Sequence, residues 1–596
     1  MAGLAGTGQG LGTVKKFLIA MTAGSLATGA GLARAEEPDM NGTPSDTAGA
    51  VQAVQPLSGK DAYRAFFGAL RAGNWSEAKS RALAMDSNDP VRAVALSELY
   101  TAKDSPRTEL FDLLDLLNHA DWLPDADQLG RLAKKRGAQL LPDGPQVQKL
   151  MYLGSAPRRR HSPPTTQDAT AQALIAQILP FIKNDDPAGA EALIAGSESS
   201  LSPDGLAEAR ERVAWSYYIE NDDSNARRLA AQTLETGSQS DWAIQAHWTN
   251  GLASWRQNDP QAAALSFTEV ANRANTADMR AAGAYWAARA WMNAGQPARV
   301  EPLMKQAARQ EDSFYGMLAR ETLGIAAPRP TMATADRSDL RKLNREPAVK
   351  AALALHDIGE DGLADELLRR QAEIGGTRDY DALLGLTASL DLPATQLWLS
   401  QHGPAGQEPD RFSRFPRPQW KPDGGWRVEP ALVFAHMLQE SSFRADAVSP
   451  AGARGLMQVM PGTARDMAGA AIGTDRLHAP STNMEYGQRY LEQLRDMSAT
   501  GGLLPKVMAA YNAGPAPVQR WNSEVRDGGD PLLFMESLPY YETRAYVNIV
   551  MRNYWMYQLR DSGKAEAMTA MAEGKWPAFP TMKGGRPVEV SYRMTR

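Results

Sequence analysis

Glu440 is the residue in this 596-residue chain best placed to do acid–base chemistry. It follows Leu432, Val433, Phe434, Met437 and Leu438, an apolar run with helical spacing that starts after Pro430. The spacing predicts a helix with Glu440 at its C-terminal end. Partial desolvation and the negative end of the helix dipole both disfavour a carboxylate there and raise its pKa. A carboxyl protonated near neutral pH is what a general acid requires. The same pattern also fits an ordinary surface Glu at a helix end. Enzymes that cut sugar polymers usually pair two carboxylates, and the nearest acid in sequence is Asp446. It falls in a segment expected to be an exposed loop, so we do not read it as catalytic. His436 lies one turn before Glu440 on the same face and is read as a packed structural residue. The seven His residues are scattered and form no H-x-x-x-H pair, DIGEDG at 357–362 lacks the acidic pattern of a calcium loop, and no G-x-x-x-x-G-K loop is present. No metal or cofactor is expected.

Four motifs in chain order surround this residue. They are Glu440-Ser441, Gly455-Leu456-Met457-Gln458, Ala510-Tyr511-Asn512 and ESLPYYETRAYV at 536–547. Together they resemble those of the lytic transglycosylases that cleave bacterial peptidoglycan, and the whole chain is similar to the large soluble periplasmic type. Leu538 stands where Ile is common. The resemblance implies a lysozyme-like catalytic domain carried by an α-superhelical, ring-like solenoid and a helical linker domain. It implies an exotransglycosylase, a carbon–oxygen lyase acting on polysaccharide, although no residue separates cutting at strand ends from cutting within strands. The substrate would be the β-1,4 bond between N-acetylmuramic acid and N-acetylglucosamine. Glu440 would act first as acid and then as base, closing a 1,6-anhydro ring. By position, Ser441 and Ser449 would orient the acetamido group or the substrate. Gln458 and Tyr511 would hydrogen-bond sugar, and Met457 and Met460 would line the groove. Glu536 would contact the muramoyl sugar or its peptide, with Asn512 and Tyr540 also at the substrate. Met457, Met460 and Tyr511 equally fit core packing. A lysozyme-like hydrolase using water, and a non-catalytic wall-binding scaffold, remain as alternatives.

The elements that must position these residues read as helices, so the fold class is all-α. From 60 to 330 the sequence is Ala-rich, with Leu, Trp and Tyr at i, i+3, i+4 spacing. Asn184-Asp185, Asn221-Asp222, Asn258-Asp259 and Asn293-Ala294-Gly295 recur at steps of 37, 37 and 35 residues, each between two helical runs. That period predicts an α-solenoid, with Gly73-Asn74-Trp75 as an earlier degenerate copy. Trp215, Trp248, Trp255, Trp286 and Trp291 are read as fillers of the seams between repeats. The basic stretch PRRRHSPPTT at 157–166 is read as a solvated connection. Breaks rich in Pro bound a helical linker domain at 331–425, the catalytic domain at 426–575 and an irregular tail at 576–596.

Lys15 and Lys16 precede an apolar run that ends in Ala33-Arg34-Ala35, the pattern of a secretory signal peptide over 1–35, with a flexible leader at 36–59. A short membrane anchor is the competing reading, but the run contains Thr, Ser and several Gly. The chain has no Cys, which excludes disulfides and a thiol-linked lipid anchor. A net charge of −5 gives no sign of nucleic acid. The expected setting is the periplasm, the expected partner is peptidoglycan glycan strands, and protein partners are unknown.

Overall fold

The structure is a computed structural model and describes residues 59–327, 337–469 and 473–580. The expected signal peptide and nearly all of the expected leader lie outside the described residues. So does the tail from 581 onward. Among the described residues the elements are helices, apart from one two-stranded antiparallel sheet that pairs Met151–Tyr152 with His402–Gly403. No described helix is long and apolar enough to cross a membrane.

Two compact units divide the chain. One holds the described residues up to Ala120, with Asp125–Pro142 and Val448–Ala453; the other holds the remainder. The boundary near 142 falls inside the segment that the sequence treats as one solenoid. The first unit contains five helices between Lys60 and Lys135. Phe66, Leu113 and Leu129 are among its buried side chains.

In the second unit the repeat has a clear physical basis. Asp185, Asn221, Asn258 and Gly295 each adopt a left-handed backbone, at intervals of 36, 37 and 37 residues. Gly, Asn and Asp tolerate that conformation best. In the first three copies the next residue caps the following helix. Asp186, Asp222 and Asp259 accept hydrogen bonds from the N–H groups of Gly189, Asn225 and Ala262. Each repeat is therefore a helix, a left-handed reversal and a capped second helix. Close packing follows from small residues. A side chain added at Gly251 would meet the Phe267 ring at 2.6 Å, and one at Gly283 would meet the Ala271 backbone nitrogen at 2.5 Å. Trp248, Trp286 and Phe267 form one buried aromatic cluster, with Trp248 edge-to-face to the other two, as the seam reading expects.

One sequence expectation needs correction. The 157–166 stretch is not a solvated connection throughout. The Arg159 side chain is 11% exposed and pairs with the fully buried Glu536, and the Pro163 carbonyl accepts from the Trp242 indole. The described part of the expected tail, 576–580, forms no helix or strand element, yet it packs against the domain. The Trp576 indole donates to the Gly529 carbonyl, and Phe579 is buried with its N–H on the Gly502 carbonyl. These apolar residues bury surface that a polar tail would leave in water.

Candidate active site

The helix Pro430–Glu440 starts with proline at its first position and buries Ala431 through Met437. Glu440 is its last residue, at the predicted end. Ser441 leaves the helix, and Ser442 and Phe443 then turn with φ of 53° and 64°, left-handed values that a non-glycine residue adopts at a cost. The chain thus reverses directly after the acid and leaves the carboxyl at the lip of a packed core.

Glu440 is half-buried. Its Oε1 accepts a 2.6 Å hydrogen bond from the Tyr546 hydroxyl. Burial raises its pKa to about 7, and the charge of Glu542 adds to that rise; the Tyr546 hydrogen bond opposes both. Tyr546 and Glu542 lie four residues apart on the helix Tyr541–Ser562, on the same face. The Tyr511 hydroxyl also feels the Glu440 charge. His436 is fully buried, donates from Nδ1 to the Leu432 carbonyl at 2.8 Å, and has its pKa lowered to about 4 by burial. It is a neutral packing residue beside the Tyr511 ring.

The Gly-Leu-Met-Gln motif forms a tight turn closed by the Arg454–Val459 bridge. Asn483, fully buried in the helix Pro480–Asp496, holds this turn from beneath. Its Oδ1 accepts from Met457 N–H at 2.7 Å, and its Nδ2 donates to the Arg454 and Leu477 carbonyls at 2.8 and 2.7 Å. Gly455 has a φ of 73°, and a Cβ there would fall 2.2 Å from the Leu477 carbonyl oxygen. From above, the Tyr511 hydroxyl donates to the Met457 carbonyl at 2.8 Å, and Ser441 Oγ donates to the Leu456 carbonyl at 2.8 Å. The hydroxyl of Thr543 donates to Asn512 Oδ1 at 2.7 Å, tying the helix of Tyr546 to that of Tyr511.

The sequence-derived site residues therefore divide. Gln458 is half-buried with a φ of 48°, and its amide donates to the Gly455 and Ala447 carbonyls. Met460 is 42% exposed, the condition a groove-lining residue needs. Tyr540 is half-buried, edge-on to Trp521. Ser449 closes its own turn by accepting from Ala453 N–H. Three expectations need correction. Met457 is fully buried, with its sulfur against Gly487, and lines no groove. Ser441 is buried and its hydroxyl is committed to main-chain carbonyls. Glu536 is fully buried in an ion pair with Arg159 at 2.5 Å and accepts from the Tyr315 hydroxyl at 2.7 Å, so it cannot meet a sugar with that contact intact. Asp446 is exposed, as expected. Sequence reasoning gave Tyr546 no role beyond its register in the final motif, and passed over Glu542 and Asn483. The first two stood inside the final motif; Asn483 left only the faint signal of an amide on the buried face of a helix. Among the described residues no group of acidic or His side chains could hold a metal ion.

The two groups that act on the Glu440 pKa give opposite expectations. Tyr546→Phe removes a hydrogen bond that favours the carboxylate, so it should raise that pKa. Glu542→Gln removes a negative charge and should lower it. In a pH profile of kcat/KM the alkaline limb, near pH 7 for the parent, should move up in the first variant and down in the second. Shifts in the same direction would count against this account.

A family model described as the transglycosylase SLT domain matches residues 421–534. A soluble lytic murein transglycosylase of Salmonella typhimurium is 33% identical over 172 residues, covering 28% of this chain and 25% of that protein. The match thus spans about a quarter of the relative's length. A crystallised complex of a 70-kDa soluble lytic transglycosylase with bulgecin A superposes with a TM-score of 0.53 at 19% identity, covering 89% of this chain and 85% of that one. An inactive Glu-to-Gln mutant of the lytic transglycosylase Slt from Pseudomonas aeruginosa superposes with a TM-score of 0.50 at 19% identity, covering 85% and 82%. The described chain thus has the fold of these solved transglycosylases, and its segment 421–534 matches the model of the transglycosylase SLT domain.

Proposed function

We propose that the protein is a peptidoglycan lytic transglycosylase acting in the periplasm on the bond between N-acetylmuramic acid and N-acetylglucosamine. The observation that carries this reading is the single carboxyl of Glu440. It is half-buried, held by Tyr546 and protonated near neutral pH, inside a domain of the matching family. The proposed catalytic domain is 426–575, with 60–330 as solenoid and 331–425 as linker. Ser449, Gln458, Met460, Tyr511, Asn512 and Tyr540 are the proposed substrate contacts that the packing leaves possible.

In the proposed reaction, Glu440 gives its proton to the glycosidic oxygen as the bond from that oxygen to C1 breaks. The substrate's 2-acetamido group supports the positive charge at C1, as substrate-assisted glycosidases allow. Glu440, now a carboxylate, takes the proton of the muramoyl C6 hydroxyl, and O6 closes on C1. The residue ends as it began and no water is consumed. The attacking oxygen is already part of the sugar, so proximity replaces a second carboxylate that would activate water.

Mass spectrometry of the products from purified peptidoglycan tests the reading. Muropeptides ending in 1,6-anhydro-muramic acid, one water lighter than hydrolysis products, are expected. Reducing ends as the main product would assign the protein to the hydrolases. Binding without cleavage would leave a wall-binding scaffold.

A further inference from the structure

The tie between the solenoid and the segment just before the Tyr546 helix has no part in the chemistry above. It runs through the loop at 157–163, which the repeat pattern does not explain. Arg159 lies over the Trp248 ring at 4.8 Å, pairs with Glu536 at 2.5 Å and faces Asp278 at 3.7 Å. Glu536 is the last residue of the helix Pro531–Glu536. The next residue, Ser537, shares a 2.6 Å hydrogen bond with the Tyr218 hydroxyl. Four residues, 537–540, then lead into the helix Tyr541–Ser562. Arg544 in its first turns donates to the Leu538 carbonyl at 2.8 Å and lies over the Trp215 ring at 4.3 Å. Two residues further on, Tyr546 holds Glu440. Every step from Arg159 to the acid is a direct contact or a few residues of fixed chain.

We propose that Arg159 is a positioning residue for Glu440: through Glu536 and the short link 537–540 it fixes the start of the helix Tyr541–Ser562, and with it the Tyr546 hydroxyl. Arginine suits the place. Its planar guanidinium stacks on Trp248 while its nitrogens meet carboxylates, which a lysine ammonium cannot reproduce. The inference rests on Glu440 being the acid, as read above. The titratable groups facing that acid are the Glu542 carboxylate and the neutral Tyr546 and Tyr511 hydroxyls, and Arg159 touches none of them. Its effect on the acid is therefore mechanical.

Removing Arg159 alone would strand buried carboxylates and threaten folding. The test therefore uses the neutral pair Arg159→Met with Glu536→Gln in the full chain, and the charge-preserving Arg159→Lys beside it. Misplacing a catalytic group by about 1 Å costs roughly 10²-fold, so we expect kcat to fall by about 10- to 100-fold with KM little changed. The alkaline limb of kcat/KM should rise toward that of Tyr546→Phe. In a Tyr546→Phe background the Arg159 substitutions should cost little more, because the contact they act through is already gone. Hydrogen exchange in peptides covering 537–546 should quicken, a readout independent of activity. Fully additive losses, or an unmoved limb with unchanged exchange, would overturn the proposal. If the neutral pair is insoluble, Arg159→Lys carries the same measurements. A parent protein that does not cleave peptidoglycan overturns the functional reading instead, and the exchange experiment still judges the positioning role.

Discussion

Glu440→Gln should abolish turnover while leaving the protein folded and able to bind glycan. The amide keeps the size of the acid and can still accept from Tyr546, but it has no proton to give and cannot take one back. A positioned acid–base group typically contributes on the order of 10² to 10⁴ in rate. Here one residue serves both half-reactions, so the loss should reach the upper end or exceed it. Asp446→Asn, which removes the exposed neighbouring acid, should change little. Stability should move the other way. Burial raises the Glu440 pKa from 4.5 to about 7, so the fold prefers the neutral form. That preference stabilises fully below about pH 4.5 and is lost as pH rises through 7. Gln never ionises, so the variant should melt higher than the parent at pH 8 and close to it at pH 4.5. Product release assays and thermal melts at both pH values check the two halves. Near-parental activity of Glu440→Gln would remove the residue from the chemistry.

The site was legible in the sequence where chemistry and local pattern coincide. Glu440 at the end of an apolar helix could be read from spacing alone, and its raised pKa followed from that place. The solenoid was legible because the Asn-Asp and Gly turns must recur wherever a left-handed residue reverses the chain. What could not be read was depth. Met457, Ser441 and Glu536 sit in motifs with neighbours that face the site, yet all three point into the interior. In a turn as tight as 454–459, adjacent residues take opposite directions, and no period tells them apart. Glu536 needed a partner almost 380 residues away in sequence to make its burial affordable. The basic stretch that supplies Arg159 reads as solvated because three successive arginines rarely leave water; only the middle one is largely withdrawn from it.

The turn that accepts from Ser441, the residue after Glu440, hangs on Asn483, and Asn483→Leu should be the most damaging single change in the catalytic domain outside the acid itself. The side chain makes three hydrogen bonds of 2.7–2.8 Å to main-chain groups of residues 454, 457 and 477. Leucine has similar bulk and satisfies none of them. The Arg454 carbonyl keeps the Val459 N–H, so the Met457 N–H and the Leu477 carbonyl are the groups left unpaired; at about 1–3 kcal/mol each, a loss of roughly 2–6 kcal/mol is expected, a large part of the ~5–15 kcal/mol that holds a typical domain together. The damage should reach the chemistry as well. The Leu456 and Met457 carbonyls are the acceptors for Ser441 and Tyr511, and Ser441 is bonded in sequence to Glu440. Asn483→Asp, which keeps the acceptor for Met457 N–H but loses both donors, should fall between parent and Leu. Gly455→Ala attacks the same contact from the other side, with a φ of 73° and a methyl placed 2.3 Å from Asn483 Nδ2, and should lower the melting temperature comparably. Denaturant titration with peptidoglycan turnover on the same samples checks the set. Parental stability in Asn483→Leu would show that the turn holds its shape without this residue, and that the geometry around Glu440 does not depend on it.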